Sequence, residues 1–273
     1  MSIAAEQENV RQIVLHYRIM DDDLMKVFFK GHPQCVERLL RPIMEKPDLT
    51  VQDIKVEDVL NNLHGHGVRF DIHAVDGQNK HYDIELQRSD DGADFRRARY
   101  NSSLLDASIL SVGEDYSKLP ETYVIFITEN DVIGKGWSVY RIERCIMGAD
   151  DPFDDGEHIV YVNGKYAGDD EIGQLMHDIQ CNEAEEIKDL VLATRMRELK
   201  SNETEVALMC KAVEEYAEKY AAKKAEEYAV KKVEQEKVNV IRNMMKALNI
   251  TAEKAIEAAG IPQKDYKRYL TLL

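Results

Sequence analysis

Two acidic residues sit where alternation along neighbouring strands would bring them face to face. Residues 68–75 contain Arg69-Phe70-Asp71-Ile72-His73, residues 81–87 read His-Tyr82-Asp83-Ile84-Glu85-Leu86-Gln87, and Asp76-Gly77-Gln78-Asn79 lies between them. Apolar and polar residues alternate on both sides of a turn-forming sequence, which predicts a β-hairpin. Because successive side chains point to opposite faces of a strand, Phe70, Ile72 and Ala74 share one face of the first strand, and Arg69, Asp71 and His73 the other. On the second strand Tyr82, Ile84 and Leu86 point to one side, and Asp83, Glu85 and Gln87 to the other. A three-residue loop, 77–79, sets Asp71 directly opposite Glu85 with their Cβ atoms about 5 Å apart. A loop of two or four residues breaks that pairing.

Two carboxylates so close repel each other unless a cation sits between them, and a hard, oxygen-preferring ion such as Mg²⁺ is the natural occupant. Such an ion lowers the pKa of a bound water and polarises a phosphodiester, the chemistry of in-line hydrolysis. The plainer reading of acids on the open face of a hairpin is that they are solvated. On both readings Asp71 and Glu85 are expected to face outward, so their replacement would spare the fold.

Just downstream, Arg97 and Tyr100 are three residues apart and share a helix face, and Arg99 extends the patch alongside Arg96. Arginine forks suit phosphate oxygens, and a tyrosine can hydrogen-bond a nucleic-acid backbone or stack on a base. The competing role is pairing with the nearby Asp90, Asp91 and Asp94. His64, His66, His73 and His81 fall near the hairpin, but His64 and His66 occupy a Gly-rich loop with no third partner, which fits a surface loop better than a metal site. Cys35, Cys145, Cys181 and Cys210 form no CxxC pair and read as reduced thiols. The absence of GxxxxGK[ST], GxGxxG and GxSxG motifs disfavours a nucleotide cofactor and serine-hydrolase chemistry.

The elements that must position these residues follow from periodicity. Helical spacing runs through residues 9–44, with Gly31 and Pro33 as punctuation, and residues 51–59 fit a short strand or a helix. After the hairpin, residues 94–113 return to helix, with Leu104, Leu105, Ile109 and Leu110 as the expected buried stripe. Tyr123-Val-Ile-Phe-Ile127 suits a buried strand, and weaker strands follow at residues 138–142 and 158–162 around the acidic turn 150–156. The order predicts an α/β fold, a mixed sheet flanked by helices. Residues 201–245, rich in Ala, Glu, Lys and Tyr, favour a long helix. Its stripe Val206, Met209, Val213, Tyr216 and Tyr220 is heptad-like until Lys223 and Glu227 interrupt it, so it suits a short coiled coil, a solvated helical arm or a helix packed on its own core. Residues 251–273 read as two small helices split at Gly260-Ile261-Pro262, with Ala255, Ile256, Ala259, Tyr266 and Leu270 inward. The expected organisation is a core over 1–180, a helical arm over 181–248 and a small C-terminal helical unit over 249–273.

The chain has 273 residues and a formal charge of −15, which opposes nonspecific attraction to nucleic acid, so any DNA contact must rest on a local basic patch. Acids near the N-terminus and the lack of a long apolar run argue against secretion and membrane insertion, and the expected location is the cytoplasm.

Taken in order, Arg69-Phe-Asp71, Tyr82-Asp-Ile-Glu85-Leu-Gln87, Arg97-Ala-Arg99-Tyr100, Leu110-Ser-Val-Gly113-Glu-Asp115-Tyr116 and Tyr123-Val-Ile-Phe-Ile127 resemble the pattern of the PD-(D/E)XK nuclease family transposases, also called recombination-promoting nucleases. Upstream, Asp22-Asp-Leu-Met25-Lys26-Val-Phe-Phe29 resembles the family's DxxFKxxF helix, with Met25 where Phe is usual. The similarity runs over about residues 18–190, and the long helix with its small terminal unit is also family-like. The resemblance implies a restriction-endonuclease-like core acting as an Mg²⁺- or Mn²⁺-dependent DNA endonuclease in mobile-element or recombination processes. It implies Asp71 and Glu85 as metal ligands, with the Leu86 backbone carbonyl and a further carboxylate from Asp22, although an N-cap is the plainer role for Asp22 and Asp21 and Asp23 compete with it. It makes Gln87 a catalytic position, held by Lys in the wider superfamily, and Arg97, Arg99 and Tyr100 the DNA phosphate contacts. A homodimer is implied too, since such enzymes often pair subunits to cut two strands. The alternative is a catalytically inactive relative, degenerate at Gln87, that binds nucleic acid or protein.

Overall fold

The computed structural model describes residues 3–60, 65–149 and 151–273, apart from the side chains of residues 3–7 and of several positions between 212 and 230. His64, Asp150 and the side chains of Tyr216, Tyr220, Lys223 and Glu227 lie outside the described residues. Three helices, α1 (Ile3–Leu15), α2 (Asp22–Phe29) and α3 (Pro33–Met44), precede three consecutive antiparallel strands, β1 (Val51–Leu60), β2 (Val68–Asp76) and β3 (His81–Gln87). The ambiguous segment 51–59 is thus a strand. Helix α4 (Phe95–Ile109) then carries the chain across to β4 (Thr122–Thr128), which pairs parallel with β3. Next come β5 (Val139–Ile142), the minimal hairpin β6 (Cys145–Ile146) and β7 (Asp151–Pro152), and β8 (Glu157–Asn163), parallel to β4 and antiparallel to β5. The result is a mixed six-stranded sheet in the order β1-β2-β3-β4-β8-β5.

All seven residues of β4 are buried, as its unbroken apolar run requires for a central strand between two parallel neighbours. Val124 and Phe126 join Tyr140 and Tyr161 in a cluster with Ala93 and Ala98, which places α4 on that face. Arg141, on the opposite side of β5 from Tyr140, donates to the Ile43 carbonyl at the end of α3, so α3 lies across the other face. Helix α3 starts on Pro33, ends on a left-handed Glu45, and buries Cys35, Val36, Leu39, Leu40 and Ile43 at helical spacing. The inner stripe of α4 differs from expectation: Ala98, Asn101, Ser102 and Leu105 are buried, while Leu104, Ile109 and Leu110 are half-buried. Small and polar residues occupy this stripe because it covers polar groups of the sheet.

After β8 come α5 (Glu171–Gln180), α6 (Leu190–Ser201), the 46-residue α7 (Glu203–Leu248), α8 (Ala252–Ala258) and α9 (Tyr266–Leu272). By internal contact the chain forms two compact units, residues 1–212 and 213–273. Val206 and Met209 are buried in the first. The second has its own core of Val238, Ile241, Ala255, Ile256, Ile261 and Tyr269, with Ala259 and Tyr266 packed against it. Leu270, expected inward, is 42 % exposed, and Tyr269 takes the inner position. No helix among the described residues is long and apolar enough to cross a membrane.

Candidate active site

The hairpin register is set by the turn. Asp76 Oδ1 accepts from Gln78 N at 2.8 Å and Lys80 N at 2.9 Å, and Oδ2 accepts from Tyr82 Oη at 2.8 Å. Asn79 takes the left-handed conformation, φ 61°, and donates its N–H to the Asp76 carbonyl at 3.1 Å. Three loop residues remain, 77–79, because the Asp76 N–H bonds the Lys80 carbonyl. The pairs Val75↔His81, Ala74↔Tyr82, His73↔Asp83 and Ile72↔Ile84 follow. One further step in that register sets Asp71 across from Glu85.

The acidic face is not open. Asp71 is 9 % exposed, and Asp83 and Glu85 are 0 % exposed, so the expectation that these carboxylates face outward is corrected. The parallel pairing of β3 with β4 puts Asp83 beside Val124 and Glu85 beside Phe126, and α4 closes over them. Alternation dictates which residues share a face, while tertiary packing decides whether that face meets water.

Each carboxylate has a distinct set of partners. Asp71 Oδ2 accepts from the Leu86 N–H at 3.0 Å. Glu85 Oε2 pairs with Arg97 Nη2 and accepts from Gln87 Nε2 at 3.1 Å, while Oε1 lies 3.4 Å from Asn101 Nδ2. Asp83 Oδ2 accepts from the same Asn101 nitrogen at 3.0 Å. Asp83 Oδ1 and Asn101 Oδ1 have no hydrogen-bond partner among the described residues. Arg97 Nη1 donates to the Gly92 carbonyl at 2.8 Å and to Gln87 Oε1 at 3.3 Å, and its guanidinium lies over the Phe126 ring. Arg97 therefore pairs with Glu85 rather than with Asp90, Asp91 or Asp94. Asp94 instead caps α4 by accepting from Arg96 N at 2.7 Å.

Burial raises all three carboxyl pKa values. Asp71 is pushed up to about 6 by desolvation, with the Leu86 N–H and Arg97 opposing and Asp22 adding to the rise. Glu85 is pushed up to about 8 by desolvation and then by Asp71, with Arg97 opposing. Asp83 lies well above the usual carboxylate range through burial and its neighbour Glu85.

Asp71 and Glu85 suit a hard divalent cation in being close, oxygen-bearing and desolvated, although Arg97 already pairs with Glu85. Among the described residues no group of three or more His, Cys, Asp or Glu side chains converges as a metal site. Asp22 is near enough to raise the Asp71 pKa, but it is exposed and its Oδ2 lies 2.8 Å from Lys26 Nζ. The N-cap of α2 is Asp21, whose side chain goes to Arg18 and Arg88. Leu86 enters the site through its N–H. His73 and His81 bond elsewhere, with His73 Nδ1 at 2.8 Å from Asp58 Oδ2 and His73 Nε2 at 3.1 Å from His81 Nδ1. Beside the carboxylates runs a groove of ≈ 680 Å³ whose lining includes Arg69, Arg96, Arg97, Arg99 and Tyr100. Tyr100 Oη donates to the His66 carbonyl at 2.5 Å on that wall. Arg69, Arg96, Arg97 and Arg99 make a local basic patch on this acidic chain.

Asp83, Asn101 and Gly92 had no role in the sequence reading. For Asp83 the signal was present, since it shares the Glu85 face two residues upstream. Asn101 could have been found as the residue one helical turn beyond Arg97.

A mixed six-stranded sheet flanked by helices, with an acidic pair on adjacent strands beneath a helix, is consistent with a PD-(D/E)XK nuclease-like fold. The model of the PD-(D/E)XK nuclease family transposases matches residues 34–249, and the chain belongs to that family. Membership supports a nuclease or transposase-related role. Asp22 lies outside the matched residues. No curated protein and no solved structure matches the chain.

Proposed function

We propose that the protein is a divalent-metal-dependent DNA endonuclease acting in mobile-element or recombination processes. The observation that carries this reading is the closeness of Asp71 and Glu85, one step beyond the Ile72↔Ile84 pair, with the Leu86 N–H on Asp71, in a desolvated wall at the edge of an arginine-lined groove. Asp71 and Glu85 would hold Mg²⁺ or Mn²⁺, with the Leu86 carbonyl as a further donor and Asp22 as an outer carboxylate. When bound, the ion would supply an activated water and polarise the scissile phosphodiester.

The chain's own residues prepare that chemistry. The Leu86 N–H orients Asp71, Gln87 and Asn101 orient Glu85, and Val124 and Phe126 keep bulk water from the carboxylates. Gln87, as an amide, orients by hydrogen bonds without adding charge, which favours a slower reaction than a lysine there would give. Arg97, Arg99 and Tyr100 would hold the DNA backbone. Cutting both strands would use two copies, so the solution mass belongs beside the activity measurement.

One observation favours the second reading, a catalytically inactive DNA- or protein-binding module: Glu85 is already neutralised by Arg97. The deciding experiment is cleavage of supercoiled plasmid at low salt with Mg²⁺ or Mn²⁺ against EDTA, beside Glu85→Gln and Asp71→Asn at matched folded concentration. Nicking or linearisation that needs metal and is lost in both variants is expected. No cleavage by the wild type across metals and DNA forms would sink the endonuclease reading in favour of the binding module.

A further inference from the structure

The Arg97 side chain stands where two environments meet. Toward the protein, Nη2 pairs with Glu85 while Nη1 donates to the Gly92 carbonyl and to Gln87 Oε1. Toward solvent, the same side chain is 38 % exposed and lines the groove with Arg69, Arg96 and Arg99. A fully buried glutamate needs a cation, and here the protein provides one from the first turn of α4. A divalent ion at Asp71 and Glu85 would bring like charge against that guanidinium, so ion and arginine compete for Glu85 Oε2. Only side-chain rotation separates the two arginine positions, because the backbone of Arg97 is fixed within the helix.

We propose that Arg97 is an internal counter-cation exchanged for the catalytic metal: it holds Glu85 and Gln87 in place beforehand, yields Glu85 to the arriving ion, and turns its fork onto a phosphodiester oxygen in the groove. This rests on the metal-nuclease reading above. Exchange makes the two ligands mutually supportive. Metal frees Arg97 for the backbone, and DNA, by drawing Arg97 away, frees Glu85 for metal, by equal factors. Arg69, Arg96 and Arg99 stay in the groove in both states, so DNA affinity without Arg97 falls without vanishing. Arg97 is thereby a positioning residue for Glu85 before the exchange and a substrate contact after it.

The test uses the full chain as wild type, Arg97→Gln, Glu85→Gln, the double variant and Asp71→Asn, each checked for folding by circular dichroism. A labelled DNA duplex is titrated by fluorescence anisotropy in EDTA and in Ca²⁺, and Mn²⁺ is titrated by calorimetry without DNA. In EDTA at pH 9, where Glu85 is ionised, Glu85→Gln should bind the duplex at least fivefold more tightly than wild type, because the charge that retains Arg97 is gone. The double variant should lose that gain, and Asp71→Asn, which removes the same charge without releasing Arg97, should show little of it. Arg97→Gln should bind Mn²⁺ at least threefold more tightly than wild type, and Ca²⁺ should no longer strengthen its hold on DNA. If Glu85→Gln does not fold, the Mn²⁺ titration of Arg97→Gln decides alone. Mn²⁺ binding to wild type with these affinities unmoved overturns the exchange and leaves the nuclease reading standing. No Mn²⁺ binding to wild type or to Arg97→Gln removes both.

Discussion

Asp83 Oδ2 lies 3.0 Å from Asn101 Nδ2, and the remaining oxygen of each side chain, Oδ1, faces no hydrogen-bond partner among the described residues. Two buried oxygens without partners are costly, and burial favours the protonated form of the carboxyl that carries one of them.

Asp83→Asn should therefore stabilise the protein. An amide at position 83 brings an N–H that can serve the Asn101 oxygen, and the expected gain is about 1–2 kcal/mol, a rise in Tm of about 2–4 °C per kcal/mol for a chain of this size. Thermal melts at pH 8 check it; a lower Tm would mean that the protonated Asp83 carboxyl already donates to a neighbouring oxygen.

The raised carboxyl pKa values make the metal-free protein less stable as pH rises. Folded Asp71 and Glu85 keep their protons to about 6 and about 8, above the ordinary carboxylate range. The stabilisation is complete below the unfolded pKa near 4 and is lost as pH climbs through the folded values. His81, pushed down to about 4 by burial and by His73, works in the opposite direction below pH 6.5. The clean window is pH 6.5–8.5, where Tm in EDTA should fall with pH for the wild type and fall less for Glu85→Gln. Parallel curves for the two proteins would contradict the assignment.

Gly92→Ala tests the clamp around Gln87. A Cβ at position 92 would stand 2.0 Å from Gln87 Oε1, so the amide must leave its place between Glu85 and Arg97. Because Gln87 is a flexible side chain, the stability cost should stay below about 1.5 kcal/mol. Cleavage should drop on the order of tenfold, about 1.4 kcal/mol in the barrier, and adding Gln87→Ala should cost little more. Additive losses would show that Gly92 acts elsewhere.

Arg195→Met probes the support beneath α2. Arg195 is buried, donates to the Phe28 and Val27 carbonyls at 3.1 and 2.9 Å, and lies 3.2 Å from Glu205 Oε2. Those carbonyls belong to the last turn of a helix, where a cation is favourable. Removing it should cost about 2–4 kcal/mol, read from urea unfolding. A loss under 1 kcal/mol would mean that water replaces the guanidinium.

Local rules carried the sequence reading of the hairpin a long way. Asp76 and Asn79 are turn formers with side chains suited to a three-residue loop, and once that loop is accepted the facing of Asp71 and Glu85 is arithmetic. The β4 run and the long α7 were equally legible, since composition alone separates a central strand from a solvated helix. Burial of the acidic face was not legible, because α4 covers it through contacts distant in sequence. The same helix misled the choice of its inner stripe: leucines usually mark the buried side, but here Asn101 and Ser102 lie beneath because they meet polar groups of the sheet. Spacing put Arg97 and Tyr100 on one helix face, and both line the groove, while the hold of Arg97 on Glu85 depends on a side-chain direction that spacing does not specify.

The strand order β1-β2-β3-β4-β8-β5 has a bearing on how the chain is made. The first three strands are successive antiparallel neighbours and form from local contacts, whereas β4 and β8 pair in parallel across long connections that assemble later. A nascent chain that has emerged only through residue 110 can hold the hairpin with Asp71 and Glu85 hydrated, ionised and unshielded by the Val124–Phe126 wall. The desolvated setting of the carboxylates needs the second half of the sheet, so a half-synthesised polypeptide lacks it.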